Sequence, residues 1–251
     1  MKALILAAGK GTRLKQLTLE RPKPMVEVGD RPLLAYLIDW LRGYGIVDIA
    51  INLHHFPAAI TDYFGDGSEH GVDIRYSYEE QLLGTAGAAK RLQEYLDEPF
   101  VLVYGDVFTN LDLARLVDFH RLSTAPLSTD LALTLALYRV PNPTECGLVD
   151  LEPSGRITRF VEKPSADQVF TDLANAGMCV VEPSILEHIP AGRAVDFGHD
   201  LFPHLLERDI PIFGLPIRDD EFLIDIGTQA GLTRAHAAWR SMPHVDTFIA
   251  T

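Results

Sequence analysis

The sequence predicts an α/β fold: a Rossmann-like, mixed and mostly parallel central sheet flanked by helices, with a distinct sub-region in the second half. Three observations carry this. Short β-branched or apolar runs alternate with amphipathic stretches through the first half of the 251-residue chain, the rhythm of right-handed βαβ units. From about Asp130 the texture changes to strands punctuated by proline and glycine, as in an antiparallel or mixed sheet. At 47% hydrophobic residues there is enough apolar material for one large core, so a single domain is expected, with 1–125 and 126–251 as its halves.

The alternation runs through 3–7, 33–41, 46–52, 58–64, 73–77, 86–96, 100–104 and 113–122. The last of these shows the pattern: Leu113, Leu116 and Val117 share one helical face, and Asp112 is placed to cap the first turn. Strands are expected at 131–139, 147–151, 157–162 and 174–181. Helices return at 184–188, 199–207 and 229–240, with Pro183, Pro190 and Pro203 at or near their boundaries. The final helix carries Trp239, which would serve a homodimer interface or the core, core packing being the commoner outcome. No internal repeat, low-complexity tract or long linker interrupts the chain.

Composition removes several function classes. A formal charge of −13, from 35 acidic and 22 basic side chains, repels a polynucleotide backbone, so no nucleic-acid partner is expected. No apolar run approaches the roughly 18 residues of a membrane span. Met1-Lys2 leads straight into a strand without a signal-cleavage pattern, so a cytoplasmic protein is expected. Cys146 and Cys179 form no Cys-x-x-Cys pair and read as two reduced thiols rather than a zinc site or disulfide. A phosphorylated ligand must also overcome the acidic field, so cations beside glycines stand out, and these are Arg13 and Lys23.

Leu4-Ile5-Leu6-Ala7-Ala8-Gly9-Lys10-Gly11-Thr12-Arg13 reads as a buried strand feeding a tight turn at the ligand-binding edge of an α/β sheet. Small residues there let backbone N–H groups approach a triphosphate, and Arg13 can add bidentate bonds. Sharp turns need glycine whatever they bind, so the turn alone is weak support. A P-loop would need glycine where Leu4 stands, and a dinucleotide fingerprint would need it at Leu14. In Arg21-Pro22-Lys23-Pro24-Met25 two prolines restrict the backbone around a lysine and can aim its charge. Asp106 ends the apolar strand 100–104 after Gly105, and Asp225 ends the run Phe222-Leu223-Ile224. A strand-end aspartate often only caps a turn, yet the pair also suits magnesium (Mg2+), which takes one or two carboxylates plus phosphate oxygens and water. His-Glu-x-x-His and Gly-x-Ser-x-Gly are absent, and His54-His55 reads as structural or merely near a pocket.

Gly9-x-Gly11-Thr12-Arg13 followed by Pro22-Lys23-Pro24 resembles the opening of the sugar-nucleotide pyrophosphorylases, also called sugar-1-phosphate nucleotidyltransferases, and the likeness continues along nearly the whole chain. The resemblance implies a GT-A-like nucleotidyltransferase fold, a nucleotide-binding first half and a sugar-binding second half. It implies an enzyme that joins a nucleoside triphosphate to a sugar-1-phosphate and releases pyrophosphate. Asp106 and Asp225 would hold Mg2+, while Arg13, Lys23 and Asp106 would be catalytic. Ala8, Gly9, Gly11, Thr12 and Arg13 would cradle the nucleotide, and Gln81, Gly84 and Thr85 match the base-recognition loop. Glu162 and Lys163, in Val161-Glu162-Lys163-Pro164, would meet the sugar hydroxyls and sugar phosphate, with Gly147 and Asn175 lining the same subsite. One departure is Gln16, where many relatives have proline.

Asn52-Leu53-His54-His55, the 83–88 segment and Val195-Asp196-Phe197-Gly198-His199-Asp200-Leu201-Phe202-Pro203 look most like short bacterial mannose-1-phosphate guanylyltransferases. GTP and mannose-1-phosphate are therefore the expected pair. The alternatives are UTP or dTTP with N-acetylmuramate-, glucose- or heptose-phosphate, and a non-catalytic nucleotide-sugar sensor. A glycosyltransferase would show Asp-x-Asp, whereas Val107-Phe108 follows Asp106. No second activity on a carboxy-terminal β-helix is expected.

Overall fold

The computed structural model describes residues 1–9, 11, 14, 17–127 and 131–242. Its strands are β1 (Lys2–Leu6), β2 (Glu27–Val28), β3 (Arg31–Pro32), β4 (Asp48–Leu53), β5 (Asp73–Tyr78), β6 (Phe100–Tyr104) and β7 (Val107–Thr109). They continue as β8 (Leu133–Arg139), β9 (Gly147–Leu151), β10 (Ile157–Glu162), β11 (Leu173–Val181), β12 (Ile212–Pro216) and β13 (Leu223–Asp225). The α-helices are α1 (Leu33–Gly43), α2 (Pro57–Phe64), α3 (Gly84–Arg91), α4 (Leu113–Thr124), α5 (Phe202–Glu207) and α6 (Gln229–Ser241). The class is the mixed α/β architecture expected from the alternating pattern. None of the described helices is long and apolar enough to cross a membrane.

Two compact units interleave along the sequence. The first takes Met1–Leu82, Val103–Leu111 and the chain from Asp220 onward; the second takes Leu83–Leu102 and Asp112–Asp219. In the first unit β1 and β5 both pair with β4 in parallel. Ala3, Leu4 and Ile5 of β1 and Ile49 to Ile51 of β4 are wholly buried, the near-continuous apolar run of a strand covered on both faces. Strand β5 is less covered: Ile74 and Ser77 are buried, whereas Asp73, Arg75 and Tyr78 are exposed. Helix α1 buries Leu33, Leu34, Leu37, Ile38 and Leu41, one apolar stripe at helical spacing. Helix α6 places Leu232 and Ala235 in a cluster with Val28, Leu33, Phe108 and Ile226, and Trp239 packs against it. Trp239 lies so close over Gly29 that a Cβ there would collide with the indole.

In the second unit β10 pairs with β9, and β9 and β8 each pair with β11, all antiparallel, while β12 adds to β8 in parallel. Helix α4 starts as the sequence suggests: the Asp112 carboxylate accepts the Arg115 N–H at 3.1 Å. Strand β12 was not among the expected strands: it is a short apolar run that ends in Pro216, and pairing with β8 supplies what the local sequence does not. The 184–188 helix is a 3-10 turn over Pro183–His188. The 199–207 helix opens as a π-turn, Phe197–Leu201, before α5 begins with Pro203 in its first turn. Strands β2, β3 and β7 are too short for periodicity to reveal.

Candidate active site

Lys23 sits in a 3-10 turn, Lys23–Met25, that Pro22 enters in an extended conformation. The prolines leave the lysine 7% exposed, which is unusual for an ammonium without partners. Its partners are two carboxylates. Nζ donates to Asp106 Oδ2 in a short contact and to Asp225 Oδ1 at 3.1 Å. These side chains retain 25% and 41% exposure, so one edge of the group is open to ligand.

The fold brings these residues together by backbone means. Strand β6 ends at Tyr104, and Gly105 donates its N–H to Leu6 O at 2.9 Å. A Cβ at Gly105 would stand 2.9 Å from that oxygen and 3.0 Å from Pro24 Cγ, so only glycine lets the turn carry Asp106 this close to Lys23. Strands β7 and β13 form an antiparallel ribbon with Val107 opposite Asp225, and Ile226 N–H bonds to Asp106 O at 2.9 Å. Asp225 Oδ1 also accepts the Gly227 N–H. Behind it Gly231, in the first turn of α6, lies so close to the Asp225 carbonyl that a Cβ would collide with it. Gly11 has φ +61° and packs on the lysine stem, where a Cβ would stand 3.1 Å from Lys23 Cβ, and its carbonyl accepts the Thr18 hydroxyl at 3.0 Å. Gly11 and Lys23 are therefore neighbours. Ala8 is buried and Gly9 is exposed, with open space where its Cβ would be. Thr12 and Arg13 lie outside the described residues, as does Gln16.

A buried polar pair that the sequence reading missed anchors the same edge. Asn52, 3% exposed at the end of β4, accepts the Ala7 N–H at 2.7 Å and donates to Glu79 Oε1 at 2.8 Å. His54 Nδ1 lies 2.8 Å from Glu79 O, consistent with a structural histidine. The clue was present in Asn52-Leu53-His54-His55, but the pairing depends on the β4–β5 register.

The second unit gathers another group. Glu162, at the end of β10, lies between two glycines: a Cβ at either Gly147 or Gly198 would stand 2.5 Å from Glu162 Oε2. Burial raises the Glu162 pKa above its usual value; Lys163 opposes the shift and Asp196 adds to it. Lys163 Nζ stands 3.7 Å from Glu162 Oε1. The Lys163 backbone has φ +45°, rare for a side-chain-bearing residue, and its N–H donates to Cys146 O at 3.0 Å. Asn175 sits where the β11–β8 register shifts, and its Oδ1 accepts the Gly177 N–H at 3.1 Å. Bulges of this kind re-aim side chains next to active sites.

Gln81 is exposed at the end of the first unit's opening segment. Gly84 and Thr85 open α3 in the second unit. Gly84 has φ +72° and approaches Val195 O so closely that a Cβ would clash, while Thr85 Oγ1 donates to Asp196 Oδ2 at 2.8 Å. Asp196 and Gly198, which contact the predicted residues Thr85 and Glu162, were not among the predicted site residues.

Chemically, the first group offers a cation between two hard oxygen donors, a setting for phosphate and divalent metal. The second offers a carboxylate and an ammonium beside small residues, suited to hydroxyls and an anionic group.

Comparisons with known proteins place the chain among relatives of one family. The family described as Nucleotidyl transferase matches residues 2–241. A UTP–glucose-1-phosphate uridylyltransferase of Synechocystis is 36% identical over 90% of this chain and 60% of its own. A mannose-1-phosphate guanylyltransferase of Mycobacterium tuberculosis is 37% identical over 94% of this chain and 63% of its own. The chain thus spans about three-fifths of the length of these relatives. Among solved structures, a Bacillus anthracis protein described as a putative glucose-1-phosphate thymidylyltransferase superposes with a TM-score of 0.85, covering 99% of this chain and 98% of that one at 23% identity, a likeness of fold. HddC from Yersinia pseudotuberculosis, complexed with GMP-PN, superposes with a TM-score of 0.76 at 25% identity, covering 95% and 99%.

Proposed function

We propose that this chain, which belongs to the nucleotidyl transferase family, transfers a nucleotidyl group from a nucleoside triphosphate to a sugar-1-phosphate. The observation that carries the reading is the convergence of Asp106 and Asp225 on the Lys23 ammonium. A phosphate oxygen of the sugar-1-phosphate attacks the α-phosphorus in line. The new P–O bond forms as the bond from the α-phosphorus to the α,β-bridging oxygen breaks, and pyrophosphate leaves with that oxygen. No covalent enzyme intermediate is needed, so the protein acts mainly by positioning and by neutralising phosphate charge.

Lys23 is the group we assign to the attacking phosphate and the α-phosphate, and Arg13 to the β- and γ-phosphates. Ala8, Gly9, Gly11 and Thr12 are assigned to the phosphate turn, and Gln81, Gly84 and Thr85 to the base. Glu162 accepts sugar hydroxyls and Lys163 meets the sugar phosphate, beside Gly147 and Asn175.

Magnesium fits the donor set. A cation, the Lys23 ammonium, already occupies the space between two carboxylates, the hard oxygen donors that Mg2+ prefers. Among the described residues no group of three or more His, Cys, Asp or Glu could hold a metal, so Asp106 and Asp225 would hold the ion together with phosphate oxygens and water. Bound there, the ion would supply charge neutralisation at the phosphates.

GTP with mannose-1-phosphate is our leading pair, supported by the 37% identity to the mycobacterial guanylyltransferase. UTP with glucose-1-phosphate is the second reading, supported by the 36% identity to the Synechocystis uridylyltransferase. The net charge of −13 argues against a nucleic-acid partner. The test is pyrophosphate release with magnesium across GTP, UTP, dTTP, CTP and ATP against mannose-, glucose-, heptose- and N-acetylmuramate-1-phosphates. One pair turning over, and stopping on chelation, is expected. Nucleotide binding without pyrophosphate release for any pair overturns the enzyme in favour of a sensor.

A further inference from the structure

One segment of the second unit, residues 195–199, touches both the predicted base loop and the predicted sugar carboxylate. On the loop side the contacts are reciprocal. Val195 N–H donates to Leu83 O at 2.8 Å, and Ala86 and Gly87 N–H donate back to Val195 O at 3.0 and 3.1 Å. Thr85 Oγ1 donates to Asp196 Oδ2 at 2.8 Å and accepts the Phe197 N–H at 2.8 Å. On the sugar side, the Gly198 Cα lies against the Glu162 carboxylate, where a Cβ would stand 2.5 Å from Oε2.

Asp196 joins the two sides through one planar group. Its Oδ2 takes the Thr85 hydroxyl, while its Oδ1 accepts the N–H groups of Gly198 at 2.9 Å and His199 at 3.1 Å. The carboxylate also opens a π-turn, Phe197–Leu201, a rare geometry frequent at functional sites. The carboxylate thus ties the Thr85 hydroxyl to the Gly198 backbone that lies against Glu162, a route by which a shift of Thr85 would reach that side chain.

We propose that Asp196 is a positioning residue that couples the two subsites, so that occupancy by nucleotide at the Gly84–Thr85 loop raises the affinity for sugar phosphate at Glu162, and the reverse. The inference rests on the assignment of these two groups as nucleotide-side and sugar-side. Coupling of this kind is reciprocal, so one factor describes both directions, and about tenfold is expected from the usual range.

The test is calorimetric titration of the full chain with magnesium and an α,β-methylene analogue of the nucleotide the enzyme uses, with and without its sugar-1-phosphate. Within each variant the ratio of the two nucleotide Kd values gives the coupling factor, so a change in intrinsic affinity cancels. The wild type and Thr85→Ser, which keeps the hydroxyl, should show about a tenfold ratio. Asp196→Asn and Thr85→Val should each bring the ratio close to one, and the double variant should lose nothing further. Thermal melts identify the folded variants, and any folded one of the pair decides the matter. A wild-type ratio of one, or a ratio undiminished in Asp196→Asn or Thr85→Val, overturns the coupling while leaving the assigned activity standing. Failure of the wild type to bind nucleotide overturns both.

Discussion

Lys23 Nζ lies 3.1 Å from Asp225 Oδ1 although the two residues stand 202 positions apart in the chain. The contact is a product of the first unit's fold: the proline-flanked turn delivers the lysine, and the β7–β13 ribbon sets Asp225 beside Asp106. With the lysine removed, two carboxylates face one site without a cation. Lys23→Met should therefore lose activity and gain more thermal stability from added magnesium than the wild type does. The extra rise in Tm should be roughly 2–4 °C if the differential binding is near 1 kcal/mol. Melts in a magnesium series measure it, and equal shifts in both proteins would contradict it.

The closeness of Gly231 to the Asp225 carbonyl leaves no room for a methyl group. Gly231→Ala should destabilise by about 1–3 kcal/mol, the usual range for overpacking, and should lower turnover by moving Asp225. Urea unfolding checks the first effect and pyrophosphate release the second. A stable, fully active variant would show that the helix start does not position this carboxylate.

Gly147 makes a similar demand in the second unit. A methyl group there would stand 2.5 Å from both Glu162 Oε2 and Phe160 Cζ, and the flexible carboxylate is the easier of the two to displace. Gly147→Ala should raise KM for the sugar phosphate at least about tenfold, with a much smaller change in KM for the nucleotide. Initial rates with each substrate varied in turn distinguish this from a general loss of activity.

Burial raises the Glu162 pKa, helped by Asp196 and opposed by Lys163. The folded protein therefore holds the Glu162 proton more tightly than the unfolded chain. The resulting stability is present below the unfolded pKa and is lost as pH rises through the folded value. Glu162→Gln, which carries no charge, escapes that loss. Relative to wild type it should be more stable at neutral pH than in acid, while its sugar-phosphate affinity falls. Denaturant midpoints across a pH series test the sign, and parallel curves would contradict it.

Local pattern made much of the site legible. Lys23 was marked by its prolines, Asp106 and Asp225 by their positions at strand ends, and the parallel β1–β4 pair by continuous apolar runs. Residues defined by a distant backbone were not legible. Gly231 and Gly198 look like ordinary glycines until the Asp225 carbonyl and the Glu162 carboxylate are set against them. Asp196 stood out only as part of the 195–203 segment, and its partner Thr85 lies 111 positions away. Asn52 and Glu79 became partners only through the strand register. Strand β12 is too short a run to stand out by itself, and its pairing with β8 defines it.

The most direct test of the central claim is single-turnover pyrophosphate release by Asp106→Asn, Asp225→Asn and the double variant, each checked for folding. Two carboxylates serving one cation site act as a unit, so each single change should slow the reaction by roughly 10²–10³ and the double variant should be little slower than the worse single. Losses that multiply in a folded double variant, or a single variant with near wild-type turnover, would contradict the shared site.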